Sequence, residues 1–237
     1  MSPKIENLPS GSSAQRNSLN HQAIEDYLKT IFTLAEEESP VSTSRIAEAR
    51  DVKPASVTNM MQRLASLNLV DYEKHSGVSL TEAGNQIALE VIRHHRLIEL
   101  YLMEALGFRW DEVHEQADIL EHVISEKLEE RMAAALNHPT VDPHGDPIPA
   151  RDGTITSADT HPLTTMEQGQ RARISRIVDD ANSEMLRYLA SLGLTPGITF
   201  TVREVAPFEG PLTLDLDGEV KVIGFNVANA IQVERLE

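Results

Sequence analysis

Residues 43–81, TSRIAEARDVKPASVTNMMQRLASLNLVDYEKHSGVSLT, decide the fold of the first third of the chain. Ser42 or Thr43 is placed to cap a short helix, Ser44 to Ala49, because a side-chain oxygen there can take an orphan backbone N–H. A turn through Asp51-Val52-Lys53 leads to Pro54, whose fixed φ and missing N–H suit the first position of a helix. From Pro54 to about Leu67 the residues Val57, Met61 and Leu64 recur at helical spacing. Then Leu69 to Lys74, His75-Ser76-Gly77 and Val78 to Thr81 read as strand, turn and strand, a hairpin. Upstream, Ala23, Ile24, Tyr27, Leu28, Ile31 and Leu34 mark a helix over Asn20 to Glu38, ended by Ser39-Pro40. Helix, helix, turn, helix, hairpin is the order of a winged helix-turn-helix.

The helix from Pro54 offers short hydroxyl and amide side chains, Ser56, Thr58, Asn59 and Gln62, followed by Arg63. Such groups suit base edges and phosphates of a major groove. Arg50, Lys53, Ser56, Thr58, Asn59 and Arg63, with Lys74 at the hairpin, are the candidate DNA contacts. The competing reading is a solvated helix face. The charge of the whole chain, −16, is unfavourable for phosphate binding. Between Arg50 and Ala65, however, Arg50, Lys53 and Arg63 stand against Asp51 alone, three positive charges to one, a local net of +2.

A second stretch, Asp111 to Leu136, reads as one long helix and carries chemistry. His114, Asp118 and His122 are spaced i, i+4, i+8, with Glu121 three residues beyond Asp118, so one helical face would hold all four. Before it, His95 and Glu99 form another i, i+4 pair on the helix expected from Thr81 or Glu82 to Leu106, which Gly107 stops. Carboxylates with imidazoles are the ligand mix of a first-row transition metal. A lone histidine on a helix is more often structural, and Glu121-His122 alone reads equally as a solvated face. Six such residues in two segments favour a metal. His21, His94, His138, His144 and His161 are assigned structural roles, with His144 shaping a turn, and Trp110 is assigned to the core. Two long helices rich in Leu, Ile and Ala behind a DNA-binding unit look like a dimerisation region.

The remaining chain changes character. Asp142 to Pro149, DPHGDPIP, is too rich in turn residues for helix or central strand. Residues 151–166 read as a linker. Strands are expected at Ala172–Val178, Ile198–Ala206, Leu212–Leu216, Val220–Ile223 and Ile231–Arg235, with a helix at Ser183–Leu192 and a helical turn from Val227. The domain reading is a tail 1–19 expected to be disordered, a winged helix-turn-helix 20–81, a helical metal-binding and dimerisation domain 82–150, the linker 151–166, and a small β-barrel 167–237. The fold class is thus mainly α with a small β-barrel.

Composition sets bounds. At 237 residues and 41% hydrophobic the chain can bury a real core, and no apolar run approaches the ~18 residues that would span a bilayer. The N-terminus lacks the apolar region of a signal peptide. With no cysteine, disulfides and thiolate ligands are excluded, which fits the cytoplasm.

Several separated motifs resemble the diphtheria-toxin-repressor family of metal-dependent transcriptional regulators, and its manganese-responsive branch most closely. They are Glu25-Asp26-Tyr27-Leu28, Arg93-His94-His95-Arg96-Leu97, Trp110-Asp111-Glu112-Val113-His114-Glu115, Glu121-His122 and the 142–149 segment, within about Asn20 to Glu237. The resemblance implies a homodimer that binds a double-stranded operator, acts as a repressor rather than an enzyme, and ends in a FeoA-like (Src-homology-3-like) barrel. It implies a primary metal site of Asp26, Asp118, Glu121 and His122, and an ancillary site of His95, Glu99 and His114. Asp26 falls on the first helix of the DNA-binding domain and the other primary ligands on the helical domain. A cation held by both would tie the domains together and relieve repulsion among three carboxylates.

Iron-responsive members place Met and Cys where this chain has Asp26 and Asp118. Oxygen donors there favour Mn2+, with Fe2+ or another divalent transition metal as the alternative effector. Lys29 replaces a carboxylate of the shorter manganese regulators and argues against their paired two-metal site. The barrel residues that would ligate the ancillary ion correspond to Asn182 and Met185, with Asp180 and Glu184 nearby, so ligation from the barrel is not expected. A metallohydrolase on the same cluster is the rival from another class, but no general base stands beside an open coordination position.

Overall fold

The computed structural model describes residues 13–156, 158–178 and 181–236, with side chains from residue 21 onward. The expected tail falls outside the described residues as far as residue 12, and so does Asp180. The chain divides into two compact units, one up to Val91 and one from Ile92.

The first unit opens with helix α1 (Ser13–Ala35), which begins inside the expected tail, ahead of Asn20. No Gly or Pro lies between Ser13 and Ala35, so nothing in that stretch stops the helix from extending. Helix α2 (Thr43–Ala49) is capped by the Ser42 hydroxyl, which accepts from the Arg45 backbone N–H at 3.2 Å. Helix α3 (Pro54–Ser66) starts on its proline and turns Val57, Met61 and Leu64 inward. Strands β1 (Val70–Glu73) and β2 (Gly77–Leu80) pair antiparallel with Val70 opposite Leu80. Leu28, Ile31, Ile46, Val57, Met61 and Val78 meet in one core, each at 0% exposure. The winged helix-turn-helix is therefore present. Helix α4 (Glu82–Leu106) follows, and the division between the units falls within it.

In the second unit the expected single helix from Asp111 to Leu136 is two helices, α5 (Val113–Leu120) and α6 (Glu126–Ala135). The β-branched pair Val123-Ile124 weakens the helix, and Ser125 caps a new one by accepting from Leu128 N at 3.3 Å. Glu121 and His122 consequently sit in the turn between the helices, not on a shared helical face with His114 and Asp118. Ile98, Leu102, Val113, Ala117 and Met132 pack the three helices together.

The C-terminal part is one antiparallel sheet. It contains β3 (His161–Pro162), β4 (Arg171–Ile177), β5 (Thr199–Val205), β6 (Leu212–Leu216), β7 (Glu219–Ile223) and β8 (Ile231–Leu236), in the order β3-β8-β4-β5-β6-β7. Helices α7 (Ser183–Leu192) and α8 (Phe225–Asn229) accompany it. The expected barrel is thus an open ladder: among the described residues β3 and β7 are edges and do not pair with each other. The expected linker also ends early. β3 and a 3-10 turn at Leu163–Thr165 lie within it, and Leu163 and Met166 are buried in the sheet's core. The segment HPLTTM has no alternation to reveal a strand, yet its two apolar residues are anchors.

Candidate metal centre

The Arg93-His94-His95-Arg96 motif splits its work between two sides of α4. Arg93 Nη1 donates to the Pro149 carbonyl at 2.7 Å, and Arg96 Nη1 to that of Pro147 at 2.6 Å. Arg96 Nη2 also reaches Asp146 Oδ1 at 3.1 Å. The arginines thereby lash the 142–149 loop to the helix. Between them His94 Nδ1 lies 3.2 Å from the Glu121 carbonyl, and His95 Nδ1 lies 2.5 Å from Glu121 Oε2. That turn between α5 and α6 is held against α4 by the two imidazoles.

From His95 the cluster is continuous. His95 Nε2 is 3.0 Å from Glu99 Oε1 and 3.2 Å from His114 Nδ1, and His114 Nδ1 is 3.2 Å from the same Glu99 oxygen. Asp118 closes the outer side, 3.4 Å from His95 Nδ1 and 3.7 Å from His114 Nε2. Atoms of His95, His114 and Asp118 all lie within 4.8 Å of one another. His122 Nε2 lies 3.4 Å from Glu121 Oε1. The three ancillary candidates are thus brought together, and Asp118, which the resemblance gave to the primary set, adjoins them. Asp26 is on α1, and its Oδ2 accepts from Arg50 Nη2 at 2.8 Å. Asn182, named for the barrel, is the N-cap of α7 and accepts from Met185 N at 3.1 Å, so its carbonyl already serves the helix.

Burial makes this cluster electrostatically demanding. Glu99 and Glu121 are at 0% and 2% exposure, where an ionised carboxylate needs a compensating charge. Burial alone would raise Glu99, but the charge of His95 and hydrogen bonds from the surrounding imidazoles hold it well below the usual range. Asp142 goes the other way: burial, then the charges of Asp146 and Glu99, push it well above. His144, which burial would lower, is pushed up to about 9 by Glu99 and Asp142. Positive charge is favoured throughout, and nitrogen and oxygen donors within a few ångströms of each other fit a divalent transition cation.

In the first unit, Lys53, Ser56, Asn59, Arg63 and Lys74 are exposed on α3, its leading turn and the wing. Thr58 Oγ1 donates to the Pro54 carbonyl at 3.1 Å, so its proton is spent within the helix. Arg50 stands apart from the other DNA candidates. Besides Asp26, its guanidinium lies over the Tyr27 ring at 5.3 Å from the centroid. The sequence pattern holds no sign of that pairing, since Asp26 lies on α1 and Arg50, 24 residues on, is the C-cap of α2.

A winged helix followed by a helical domain that buries carboxylates among imidazoles is the build of a metal-responsive DNA-binding protein. Three family models match the chain: the iron-dependent repressor N-terminal DNA-binding domain over residues 21–78, the iron-dependent repressor metal-binding and dimerisation domain over 81–150, and the FeoA domain over 161–235. The iron-dependent repressor IdeR of Mycobacterium tuberculosis is 31% identical over 224 residues, covering 90% of this chain and 96% of that one. A solved manganese-dependent transcriptional repressor in complex with manganese is 38% identical, covers 90% of this chain and 100% of its own, and superposes with a TM-score of 0.83. The ScaR structure with bound Zn2+ is 31% identical over 90% of this chain, with a TM-score of 0.76. The chain belongs to the diphtheria-toxin-repressor family of metal-dependent transcriptional repressors. It accordingly carries a DNA-binding domain, a metal-binding and dimerisation domain and a FeoA domain.

Proposed function

We propose that the protein is a Mn2+-activated repressor of metal-uptake genes, acting in the cytoplasm as a homodimer on a double-stranded operator. The observation that carries this reading is the buried cluster joining Glu121, His95, Glu99 and His114, with Asp118 on its outer side. All of its donors are oxygen or imidazole nitrogen, and none is sulfur. Hard donors suit Mn2+, which the general affinity order otherwise places last among the divalent first-row metals. A bound divalent cation supplies two positive charges to a site where carboxylates outnumber fixed cations. The ligand set remains as the resemblance implied: Asp26, Asp118, Glu121 and His122 for the primary ion, and His95, Glu99 and His114 for the ancillary one. Metal shifts the protein toward the operator-binding arrangement only by its differential affinity for that arrangement.

Dimerisation is supported by apolar side chains left in solvent on the helical domain, among them Leu106, Ile119, Val123 and Leu128. Two recognition helices held by a two-fold dimer would then meet half-sites one or more helical turns apart. Contacts to DNA are assigned to Lys53, Ser56, Thr58, Asn59, Arg63 and Lys74, with Arg50 available when its pairing with Asp26 is broken.

The second reading is an Fe2+-responsive repressor, favoured by the similarity to iron-dependent relatives at 31% identity. Operator binding by fluorescence anisotropy at fixed salt, with chelator, Mn2+, anaerobic Fe2+ or Zn2+, separates the two. Half-maximal binding at lower free Mn2+ than Fe2+, relative to what a cell supplies of each, is the expected result. Equal or stronger response to Fe2+ assigns the chain to iron, and binding indifferent to chelator removes the metal from the mechanism.

A further inference from the structure

The two edges of the C-terminal sheet are built differently. β3 is blunted: it has two residues and ends on Pro162, which has no N–H to offer a neighbouring strand. β7 has five, Glu219-Val220-Lys221-Val222-Ile223, with no proline, and its ladder with β6 runs without a bulge. Val220 and Val222 share its outer face, 47% and 54% exposed. An edge of this kind is a template for another strand.

The turn before β7 fixes which backbone groups it presents. Asp217 and Gly218, at φ 51° and 98°, form a two-residue turn of the primed type. In such a hairpin the flanking pair, Leu216 and Glu219, is hydrogen-bonded, and the phase alternates from there. Glu219, Lys221 and Ile223 therefore spend their N–H and C=O groups on β6. Val220 and Val222 turn theirs to the open edge.

We propose that β7 pairs antiparallel with β7 of a second copy of this chain, about a two-fold axis at Val220, joining dimers through their FeoA domains. The charges choose this partner and this register. Glu219 and Lys221 flank Val220 on one face of the strand, and Lys221 Nζ already contacts Glu219 Oε1. An axis at Val220 sets each Glu219 opposite Lys221 of the second copy, giving two cross-strand ion pairs. An axis at Lys221 would instead oppose like charges, and one at Val222 would set Lys221 against Ile223. About Val220, the two opposed valines exchange both backbone hydrogen bonds, and each Val222 lies diagonally across from Val220 of the other copy. The four valines then form one apolar patch.

The contact is short and acts on dimers already brought close, as on neighbouring operator sites, where effective concentration is high. It uses none of the residues assigned to metal or DNA, and takes from the reading above only that the chain is a dimer.

Because the chain has no cysteine, a disulfide trap reports this contact alone. Val220→Cys places two thiols on an opposed hydrogen-bonded pair, roughly 5.5 Å apart at Cα and within disulfide reach. Val222→Cys is equally exposed, but the two copies of that position stand roughly 13 Å apart along the strands. Mild oxidation of the full-length protein is followed on non-reducing gels and by sedimentation velocity. Val220→Cys is expected to cross-link at least about tenfold faster than Val222→Cys and to yield particles larger than a dimer. Glu219→Lys and Lys221→Glu are each expected to weaken the association of dimers about tenfold, since both ion pairs become repulsive. An equal mixture of these two variants pairs a wholly basic strand with a wholly acidic one, and is expected to restore association. Equal cross-linking at the two positions, a wild type that stays dimeric at every concentration, or charge variants that associate like wild type would overturn the proposal. Cross-links found only within dimers would overturn the joining of dimers.

Discussion

Replacing Arg50 by Gln should tighten metal binding and weaken DNA binding at once. The guanidinium holds Asp26 at 2.8 Å and would have to yield if that carboxylate is to serve a metal. Unit charges about 4 Å apart attract by ~1 kcal/mol in water and ~4 kcal/mol at an effective dielectric constant of 20. Arg50 and Asp26 are 31% and 28% exposed, so solvent screening brings the net value to roughly 0.5–1 kcal/mol. Removing this competitor should lower the Mn2+ concentration for half-saturation by about two- to fivefold, taking 1.4 kcal/mol as tenfold. Gln keeps most of the side chain's reach without its charge. The assay is Mn2+ titration without DNA, beside Asp26→Asn, which should weaken metal binding. At saturating Mn2+, loss of a phosphate contact should weaken operator and random DNA alike and reduce the salt slope by about 1. An Arg50→Gln protein that binds Mn2+ no better than wild type refutes the competition. One whose DNA affinity and salt slope are unchanged refutes the phosphate contact.

The other expectations are more direct. His122→Ala or Glu121→Gln should abolish Mn2+-stimulated operator binding by a protein that still elutes as a folded dimer; a normal Mn2+ response would remove these residues from the mechanism. Asn59→Ala should weaken the cognate operator by ~1–3 kcal/mol more than random DNA, whereas Arg63→Ala should weaken both about equally. Anisotropy on the two DNAs decides, and equal losses for Asn59→Ala would deny it a base contact. Asp118→Cys should lower the response to Mn2+ relative to Fe2+, Co2+ or Ni2+, because a thiolate is softer than a carboxylate. Adding Asp26→Met should enlarge the shift, and an unchanged metal ratio in the double variant would sink the manganese assignment.

Where periodicity and punctuation agree, as from Ser42 to Leu80, the sequence reads almost directly as structure: the cap, the proline and the alternating apolar positions each act within a few residues. The break between α5 and α6 is hidden because Ile124 and Met132 keep helical spacing across it, while the β-branched pair Val123-Ile124 and the Ser125 cap end one helix and start the next. Glu121 still reaches the cluster from the turn, because His94 meets its carbonyl and His95 its carboxylate from α4. The edge strand β3 was illegible for a different reason. Its identity comes from pairing His161 with Val233, a contact far away in sequence. His144 is legible only as a turn residue, because the Glu99 carboxylate 3.7 Å from its Nδ1 comes from α4, 45 residues away in the chain.

The fixed cations of the helical domain explain why so many acids can be buried there and still leave a demand for metal. Arg93 pairs with Glu129 and the Pro149 carbonyl, and Arg96 with Asp146 and the Pro147 carbonyl. Arg187, from α7, reaches Asp111 at 3.1 Å, a side chain also held by Arg109. These arginines stabilise the loops around the cluster, and Arg96 Nε, at 3.8 Å from Asp142 Oδ2, stops short of a hydrogen bond to it. Glu99, Glu121 and Asp142 are left chiefly to imidazoles, which carry a positive charge only when protonated. A scaffold that spends its permanent charges on geometry and leaves its buried carboxylates to titratable partners exchanges protons for a divalent cation at little structural cost. That division of labour, rather than any single ligand, makes the folded domain responsive to metal.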